Sequence, residues 1–578
     1  LNYVENLLEP HAAAGGGDGG SEDAPALIAC DESGGERRLT RAQLRERVVR
    51  LAAALRRRGL DDRSVAAAIA SNRAETVIAC LAATGIGALW SSVAPDLGVD
   101  AVLSRFGQLA PRLLFAESGY AYHGAAKRVD DRVRRLVESI DSITLVVTLD
   151  DTPLDGLPAR VAQVTLTALC AEPPDAAFAW PRLPFNHPLF VLFSSGTTGP
   201  PKCLVHGHGG TLLEHLKEHR LHGGVGPGDL LYFHTSCGWM MWNWMLSALG
   251  SGAGLVVYDG SVSFPEPLSL LAMVDRLGVT LLGTSPAYLQ FLRDSGADPK
   301  GIYPFARLRA LLSTGSILYD AQYDWVREHL KHVPVQSISG GSDIIGCFVL
   351  GHPLLPVWRG ESQSLSLGLD VRALDEGVAR RPGRGALVCA NPFPSRPVGV
   401  FGDLDGRRFH DAYFAENEGF WTHGDAIEIL ARGSARILGR TDGTLKVRGV
   451  RIGPAEIYAV VLGIPGIAEA MAIEQAAPAE PGGSRLVLLV VLAPGRTLDR
   501  PLMHTIKREL SQRASPNHVP AIVAEVPALP VTHNGKYSER AARDAIHGRP
   551  IANAAALRNP DCLAAIAAHP ALAVAPSA

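Results

Sequence analysis

The sequence has little of several features that would point to particular classes of protein. Its 578 residues include eight cysteines, and no two of them form a C-x-x-C pair. No uncharged apolar run approaches the ~20 residues that a membrane-spanning helix needs. The formal net charge is -3, whereas a general nucleic-acid binder is usually basic. These absences argue against a disulfide scaffold, membrane insertion and nucleic-acid binding, and scattered cysteines in a long chain predict a reduced, cytoplasmic protein.

What the chain does contain is enough apolar sequence for a substantial core. Hydrophobic residues make up 47% and charged residues 20%, which is typical of a folded globular protein. At about 150 residues per domain the length suggests roughly four domain-sized units. Apolar residues recur at helical spacing between Thr40 and Arg58, and short apolar strands follow. We expect these strands at Val65–Ala70, Leu113–Ala116 and Ile143–Leu149. The alternation predicts an α/β fold.

A different pattern begins near residue 440. A helix is predicted over Pro454–Leu462, a strand over Leu486–Leu492, and a further helix that begins near Asp499 and ends before Ser515. This is typical of a compact α+β module. We therefore predict a large N-terminal α/β domain of several subdomains over residues 1–441, a small mobile α+β domain over 442–545, and a tail over 546–578.

The strongest single motif follows the apolar run Leu189–Phe193. It contains two glycines, four hydroxyl side chains and a lysine. Its members are Ser194, Ser195, Gly196, Thr197, Thr198, Gly199 and Lys202. Such a loop presents backbone N–H groups, hydroxyls and a cation, which suit a polyphosphate. The spacing is not that of a Walker A loop. A surface turn rich in small polar residues is the alternative.

Three further motifs are weak by themselves. Asp425 ends Trp421-Thr-His-Gly-Asp and could accept ribose hydroxyls, or could be an ordinary hairpin-turn residue. The basic segment Gly439–Ile452 could be a hinge with phosphate-binding cations, or a solvated linker. Lys536 follows Gly535 near the end of the small domain, where an exposed structural lysine is the default.

The order of these motifs resembles that of the adenylate-forming superfamily, which includes acyl-CoA synthetases, luciferases and peptide-synthetase adenylation domains. The phosphate loop is followed in family order by Ser313-Thr-Gly-Ser316, by the Asp425 motif, by Gly439-Arg-Thr-Asp442 and by the terminal Gly-Lys. Within the superfamily the chain is most similar to the acetoacetyl-CoA synthetases. That similarity is carried by Val205-His-Gly-His-Gly-Gly210, Gly238-Trp-Met-Met-Trp-Asn243 and Ser337-Ile-Ser-Gly-Gly-Ser-Asp343. It extends from Leu1 to about Pro560, and implies a chain truncated at its start.

The resemblance implies ATP-dependent activation of acetoacetate to acetoacetyl-AMP, followed by transfer to CoA with release of AMP. ATP, Mg²⁺, CoA and acetoacetate are the implied ligands. The resemblance implies that Lys536 bridges the carboxylate and the α-phosphate, that Ser342 and Arg451 contact phosphate (Ser342 the α-phosphate), and that the Ser194–Lys202 loop holds the leaving phosphates. It also implies that Asp425 and Arg440 hold the ribose and that Gly315 and Ser316 border adenine. Asp343 is implied to lie on the metal side, and Asp442 to be the hinge.

The resemblance also implies where the acyl group lies. Acetyl-CoA synthetases carry a Trp immediately before the position of Gly341, and here that residue is Gly340. We expect the absence of the Trp side chain to free space for a longer acyl chain. Trp239 and Met240 would form the opposite wall of this acyl pocket. Trp242 and Trp244 are equally consistent with a place in the acyl pocket and with a buried, aromatic-rich helix start.

Four rival functions remain at this stage. The first is a synthetase for another short- or medium-chain acid. The second is a non-catalytic adenylate-binding relic, which the presence of Lys536, Asp425 and the phosphate loop disfavours. The third is an adenylation domain that feeds a carrier protein, although no carrier motif follows Lys536. The fourth is a Walker-type ATPase or kinase, which the loop spacing disfavours.

Overall fold

The structure is a computed structural model that describes residues 1–9, 21–174, 178–194, 201–440, 445–447, 450–452, 454–476, 484–514, 518–533, 535–551 and 554–573. Among these residues no helix combines the length and the apolar character that crossing a bilayer requires.

The N-terminal part of the chain alternates strands and helices. In chain order they are α1 (Tyr3–Leu8), β1 (Pro25–Asp31), β2 (Glu36–Thr40), α2 (Arg41–Arg57), β3 (Val65–Ile69), α3 (Ala74–Gly85), β4 (Leu89–Val93), α4 (Val99–Leu109), β5 (Leu113–Ala116), β6 (Gly119–Tyr122), β7 (Ala125–Arg128), α5 (Asp130–Ser139), β8 (Leu145–Thr148), β9 (Ala162–Thr165), α6 (Leu166–Ala171), β10 (Pro188–Ser194), β11 (Lys202–Gly207) and α7 (His208–Lys217).

The middle of the chain continues the alternation and then becomes rich in strands. Its elements are β12 (Leu230–Phe233), α8 (Met240–Ser247), β13 (Gly254–Asp259), α9 (Ser269–Leu277), β14 (Leu281–Thr284), α10 (Pro286–Asp294), β15 (Ala310–Ser313), α11 (Asp320–Trp325), β16 (Val335–Ser337), β17 (Ser339–Gly341), β18 (Gly346–Leu350), β19 (Ser364–Leu365), β20 (Val371–Asp375), β21 (Val378–Arg380), β22 (Gly383–Cys389), β23 (Gly399–Val400), α12 (Arg407–Tyr413), β24 (Trp421–Ile429) and β25 (Ala435–Arg440).

The C-terminal part holds shorter elements around a small sheet. They are β26 (Leu445–Val447), β27 (Val450–Ile452), α13 (Pro454–Val461), β28 (Ile467–Ala476), β29 (Ser484–Leu492), α14 (Arg500–Arg513), β30 (Ile522–Glu525), α15 (Glu539–Ile546) and α16 (Cys562–Ala567).

Two large, mostly parallel sheets form the framework of the N-terminal part. In the described ranges one has the strand order β16-β15-β14-β12-β13-β1-β2 and the other β23-β11-β10-β4-β3-β5-β8-β9. In the first sheet β1 and β12 to β16 are parallel, and in the second β10, β4, β3, β5, β8 and β9 are parallel. Helices α2 and α3 pack into the apolar core between these layers. The α/β prediction is therefore confirmed.

Local sequence explains the elements whose periodicity was clear. Helix α2 begins at a capping box, in which Thr40 and Gln43 each bond the other's backbone N–H. Its predicted stripe Leu44, Val48, Leu51 and Leu55 is fully buried. The expected strand over Ile143–Leu149 is shorter than predicted.

The C-terminal module is α+β, as its sequence pattern predicts. Strand β29 pairs antiparallel with β28 and parallel with β30. Helices α13 and α14 pack on one apolar cluster, which includes Ile457, Ile506 and Leu510. Asp499 caps α14 by accepting a hydrogen bond from the backbone N–H of Leu502. The domain boundary at residue 442 stays a prediction because it lies outside the described residues.

Candidate active site

The candidate site lies at the carboxyl edge of the first parallel sheet. Strands β14, β15 and β16 end at Thr284, Ser313 and Ser337, and these ends are adjacent because Ser313 pairs with both of the others. Ligands of α/β sheets bind outside the carboxyl ends of the strands. Gly315 and Ser316 follow β15 directly and are exposed at this edge. Gly315 has a φ of +101°, which few other residues adopt.

The ends of the predicted phosphate loop meet in a hairpin. Ser194 is the last residue of β10 and pairs with Lys202, the first residue of β11. The two ends of the motif are therefore neighbours in the sheet. The loop residues Ser195, Gly196, Thr197, Thr198 and Gly199 lie outside the described residues, so their phosphate-binding role stays a prediction.

Tyr413 contacts two of the predicted site residues, Lys202 and Asp343. Its hydroxyl donates a hydrogen bond to Asp343 Oδ1 at 2.5 Å. The Lys202 ammonium lies 5.5 Å from the centroid of the Tyr413 ring, within cation–π range. The ring stacks on Trp421 with centroids 3.9 Å apart. Lys202 and Asp343, which the resemblance assigns to the phosphates and the metal, therefore contact one tyrosine.

Ser342 is held through its backbone. His206 Nε2 donates to the Ser342 carbonyl oxygen at 2.8 Å. Burial lowers the pKa of His206 to about 4, so the ring is neutral at physiological pH and carries one N–H. The carbonyl only accepts, so that proton lies on Nε2. Within the described residues, His206 Nδ1 has no hydrogen-bond partner.

Asp425 lies in the middle of a strand. It belongs to β24 and pairs with Arg440 of β25, so the alternative of a hairpin-turn aspartate is wrong. Asp425 is 8% exposed, and its Oδ2 is 3.6 Å from His423 Nε2. The His423 ring contacts Phe348 with centroids 4.7 Å apart. A largely buried carboxylate of fixed direction is suited to accepting hydroxyl hydrogen bonds.

The aromatic residues around α8 fall into two groups. Trp239 and Met240, the predicted wall of the acyl pocket, are half-buried at the start of the helix. Trp242 and Trp244 are buried, and their indole N–H groups donate to Asn72 Oδ1 at 2.9 Å and Glu218 Oε2 at 2.7 Å. The interpretation of Trp242 and Trp244 as core residues is therefore the one that the structure favours.

The expectation that Gly340 opens space needs correction. Gly340 lies in β17 and pairs with Cys347 of β18. A Cβ built on it would lie 2.0 Å from the carbonyl oxygen of Gly346 and 2.5 Å from the Cα of Cys347. A glycine is thus required by the close approach of the neighbouring strand. At Gly341 the nearest atoms to a Cβ would belong to side chains, at 3.2 Å for Asp343 and 3.5 Å for His423, with the Asp343 backbone nitrogen at 3.8 Å.

Three cationic residues predicted for the site, Lys536, Arg440 and Arg451, come from the C-terminal part of the chain. Lys536 is exposed on a turn in which the Thr532 backbone N–H donates to the Lys536 carbonyl and the Lys536 N–H donates to the Thr532 hydroxyl. Its ammonium makes no hydrogen bond or ion pair to any residue in the described ranges. Arg440 and Arg451 lie in β25 and β27, where only the backbone is described, and Asp442 falls outside the described residues. Their roles stay predictions.

Two side chains of the site were not predicted from the sequence. His206 belongs to the motif Val205-His-Gly-His, but nothing in that motif indicates its contact with Ser342. Tyr413 had no sequence signal, because it lies 70 positions from Asp343 in an ordinary helix end. Among the described residues no group of three or more His, Cys, Asp or Glu side chains could hold a metal ion. The assignment of Asp343 to the metal side stays a prediction.

Family models match most of the chain. The one described as AMP-binding enzyme matches residues 18–391, and the one described as AMP-binding enzyme C-terminal domain matches residues 456–536. A protein named acetoacetyl-coenzyme A synthetase from Rhizobium meliloti (strain 1021) is 44% identical over 565 residues, which cover 97% of this chain and 85% of that one. The acetoacetyl-CoA synthetase of Mus musculus is 38% identical, with 97% and 84% covered.

Solved structures support the same grouping. The acetoacetyl-CoA synthetase from Streptomyces lividans superposes with a TM-score of 0.90 at 38% identity, covering 98% of this chain and 86% of that one. An anthranilate CoA ligase in complex with anthranoyl-AMP has a TM-score of 0.76 at 16% identity, covering 93% and 96%, and shares the fold. The chain therefore belongs to the AMP-binding enzymes and, within them, to the acetoacetyl-CoA synthetase family.

Proposed function

We propose that this chain is an AMP-forming acid–thiol ligase that converts acetoacetate, ATP and CoA to acetoacetyl-CoA, AMP and pyrophosphate. The observation that carries the proposal is the 44% identity to an acetoacetyl-CoA synthetase over 97% of the chain. The site supports it, because Lys202 and Asp343 both contact Tyr413, and Ser342 directly precedes Asp343 in the chain.

The first half-reaction joins two anions. A carboxylate oxygen of acetoacetate attacks the α-phosphorus of ATP, the bond to the bridging oxygen breaks, and pyrophosphate leaves. Cations aimed at the developing charge are the main contribution that a protein can make to such a step. Lys202 would serve the leaving phosphates, and Ser342 would contact the α-phosphate. Lys536 would bridge the carboxylate and the α-phosphate once its domain brings it to the site.

The nucleotide would be held by the residues to which the resemblance assigns its ribose, adenine and phosphates. Asp425 would accept hydrogen bonds from the ribose hydroxyls, with Arg440 beside it on the paired strand. Gly315 and Ser316 would border adenine, and Arg451 would contact phosphate. Ser194 and the rest of the predicted loop would surround the β- and γ-phosphates.

The residues present fit Mg²⁺, which commonly binds through one or two carboxylates together with substrate phosphates. Asp343 supplies one carboxylate, and the Tyr413 hydroxyl that donates to Oδ1 fixes its direction. A magnesium ion bound there supplies positive charge that neutralises the phosphates.

The second half-reaction requires a different arrangement. The CoA thiolate attacks the carbonyl carbon of acetoacetyl-AMP, and AMP leaves with the electron pair of the cleaved C–O bond. Lys536 has no task in this step, so the small domain can rotate about Asp442 to admit CoA. In the acyl pocket, Trp239 and Met240 would line the acetoacetyl chain. The eight unpaired thiols fit a reducing compartment, and we propose the cytoplasm.

The substrate is tested by a panel of acids. Pyrophosphate release is measured with Mg²⁺, ATP and CoA on acetoacetate, acetate, propionate or butyrate. We expect acetoacetate to have the highest kcat/KM, by at least about tenfold. A higher value for another acid would identify a different short-chain synthetase, and no AMP from any acid would contradict the whole proposal.

The role of Lys536 is tested by separating the two half-reactions. Lys536→Ala should lower acetoacetyl-AMP formation by about 100-fold or more, because a single charge-stabilising group contributes on that scale. Thiolysis of supplied acetoacetyl-AMP should be spared. Lys300→Ala, at another exposed lysine, is the control and should change neither rate. Equal losses in both half-reactions of Lys536→Ala would show that the assigned role is wrong.

A further inference from the structure

The segment of residues 342–347 consists of the connection from β17 to β18 and the first two residues of β18, and it carries Ser342 and Asp343. Three buried side chains contact its backbone. His206 Nε2 donates to the carbonyl of Ser342 at 2.8 Å, and His215 Nε2 donates to the carbonyl of Ile345 at 2.6 Å. Glu218 Oε1 accepts from the N–H of Cys347 at 2.7 Å. His206 lies in β11, His215 in α7 and Glu218 in the turn that continues α7. One continuous stretch of chain therefore holds the whole segment.

Ile345 has a backbone conformation that its residue type rarely adopts. Its φ is +48°, in the left-handed region, where a β-branched side chain is crowded. Its side chain is fully buried. Such a conformation persists only where the surroundings impose it. The hydrogen bond from His215 to the Ile345 carbonyl is the polar contact that acts directly on this peptide.

The orientation of His215 is itself determined by its neighbours. Burial lowers the pKa of His215 to about 3, so the ring is neutral and carries a single N–H. The Ile345 carbonyl only accepts, so the proton is on Nε2, and Nδ1 must accept from Ser247 Oγ at 2.7 Å. Ser247 Oγ in turn accepts from the Tyr3 hydroxyl at 2.5 Å. Helices α1 and α8 thus fix the ring that holds Ile345.

Glu218 anchors the other end of the segment and is itself bonded to α8. Its Oε2 accepts from the Trp244 indole N–H at 2.7 Å. Gly346 packs directly against the side chains of Glu214 and Glu218, since a Cβ there would lie 2.7 Å from Glu214 and 3.1 Å from Glu218 Oε1. The segment therefore has no room to shift toward α7 and is restrained at both ends.

We propose that His215 is a positioning residue for adenylate formation. By holding Ile345 in the left-handed conformation, it fixes the 342–347 segment so that Ser342 and Asp343 face the nucleotide. His206 and Glu218 restrain the same segment on either side. This inference rests on the proposed function, because it is there that Ser342 and Asp343 are assigned to the α-phosphate and the metal.

The test compares His215→Leu, which removes the donor, with His215→Gln, whose amide N–H can replace it, in the full chain. His219→Leu is the matched control: His219 is equally buried and follows α7, but it bonds the Trp244 carbonyl and not the segment. We expect His215→Leu to lower the kcat of ATP-dependent adenylate formation at least about tenfold and thiolysis of supplied acetoacetyl-AMP less than about threefold. His215→Gln should recover most of the lost rate.

A second measurement does not depend on activity. Amide hydrogen exchange followed by mass spectrometry should show at least about tenfold faster exchange over 342–347 in His215→Leu, and exchange close to wild type there in His215→Gln and His219→Leu. If His215→Leu fails to fold, Ser247→Ala, which removes the donor to Nδ1, should show a smaller change in the same segment. Unchanged exchange over 342–347, or equal losses in both half-reactions, would overturn the proposal. Failure of the wild-type chain to form any adenylate would contradict the proposed function and leave this measurement valid.

Discussion

Single residues of this protein illustrate how burial controls protonation. Glu117 is fully buried, accepts the backbone N–H of Ser71 at 2.9 Å, and lies 3.3 Å from Arg73. Ser71 Oγ is 2.9 Å from Glu117 and 2.7 Å from Asp259. One hydroxyl proton cannot serve both carboxylates, so one of the carboxyl groups holds a proton. Burial raises the pKa of Asp259 and raises that of Glu117 to about 8 in spite of Arg73, and we assign the proton to the fully buried Glu117.

This assignment predicts a pH dependence of stability. The folded protein keeps the Glu117 proton up to about pH 8, whereas the unfolded chain releases it near the ordinary pKa of 4.5. Between these values the folded state binds more protons, so the free energy of unfolding falls as pH rises, by up to about 1.4 kcal/mol per pH unit.

Glu117→Gln should remove this contribution, since an amide does not titrate. Thermal unfolding of wild type and variant at pH 6 and pH 8 measures it. We expect the melting temperature to fall more for the wild type than for Glu117→Gln. Identical decreases would show that Glu117 does not hold a proton in the folded state.

At the scale of elements, the short helix α1 depends on its surroundings. Six residues are too few for a stable isolated helix in water. Asn2 caps it by accepting from the N–H groups of Val4 and Glu5, and Tyr3, Val4 and Leu7 are buried in the largest apolar cluster. The helix is therefore part of the core and also carries the Tyr3 hydroxyl that orients His215 through Ser247.

Leu7→Ala tests the contribution of α1 to the core. Leu7 is 1% exposed, so its truncation leaves a cavity and should destabilise the protein by about 2–5 kcal/mol. Leu213→Ala, at a leucine that is 51% exposed, is the control and should change stability by less than about 0.5 kcal/mol. Chemical denaturation of both variants measures the difference, and equal stabilities would mean that α1 is not coupled to the core.

For the whole molecule, the two half-reactions place different demands on the position of the small domain. Lys536 lies on an exposed turn, and under the proposed function a rotation about residue 442 carries it to and from the site. Asp442→Pro fixes one backbone dihedral at the proposed hinge. We expect slower thiolysis of acetoacetyl-AMP, by about tenfold or more, with adenylate formation retained. Rapid-quench measurement of each half-reaction checks this, and unchanged turnover would remove the hinge hypothesis.

Much of the architecture could be predicted because it follows from local pattern. The apolar spacing of α2, the run of apolar residues in β10 and the change of pattern near residue 440 correspond to elements of the structure. The contacts of the site could not be predicted. His206 and Ser342 are 136 positions apart, and nothing near either of them indicates the other. The resemblance predicts an open position at Gly340, but the backbone of β18 occupies that direction.

The sequence by itself determined the fold class, the order of the elements and the family, because periodicity and motif order are properties of neighbouring residues along the chain. Only the tertiary structure decided that Tyr413 joins Lys202 to Asp343, that Trp242 and Trp244 are core residues, and that His215 holds Ile345. These contacts depend on how the sheets and helices pack, which brings distant residues within hydrogen-bond reach and assigns each side chain its direction.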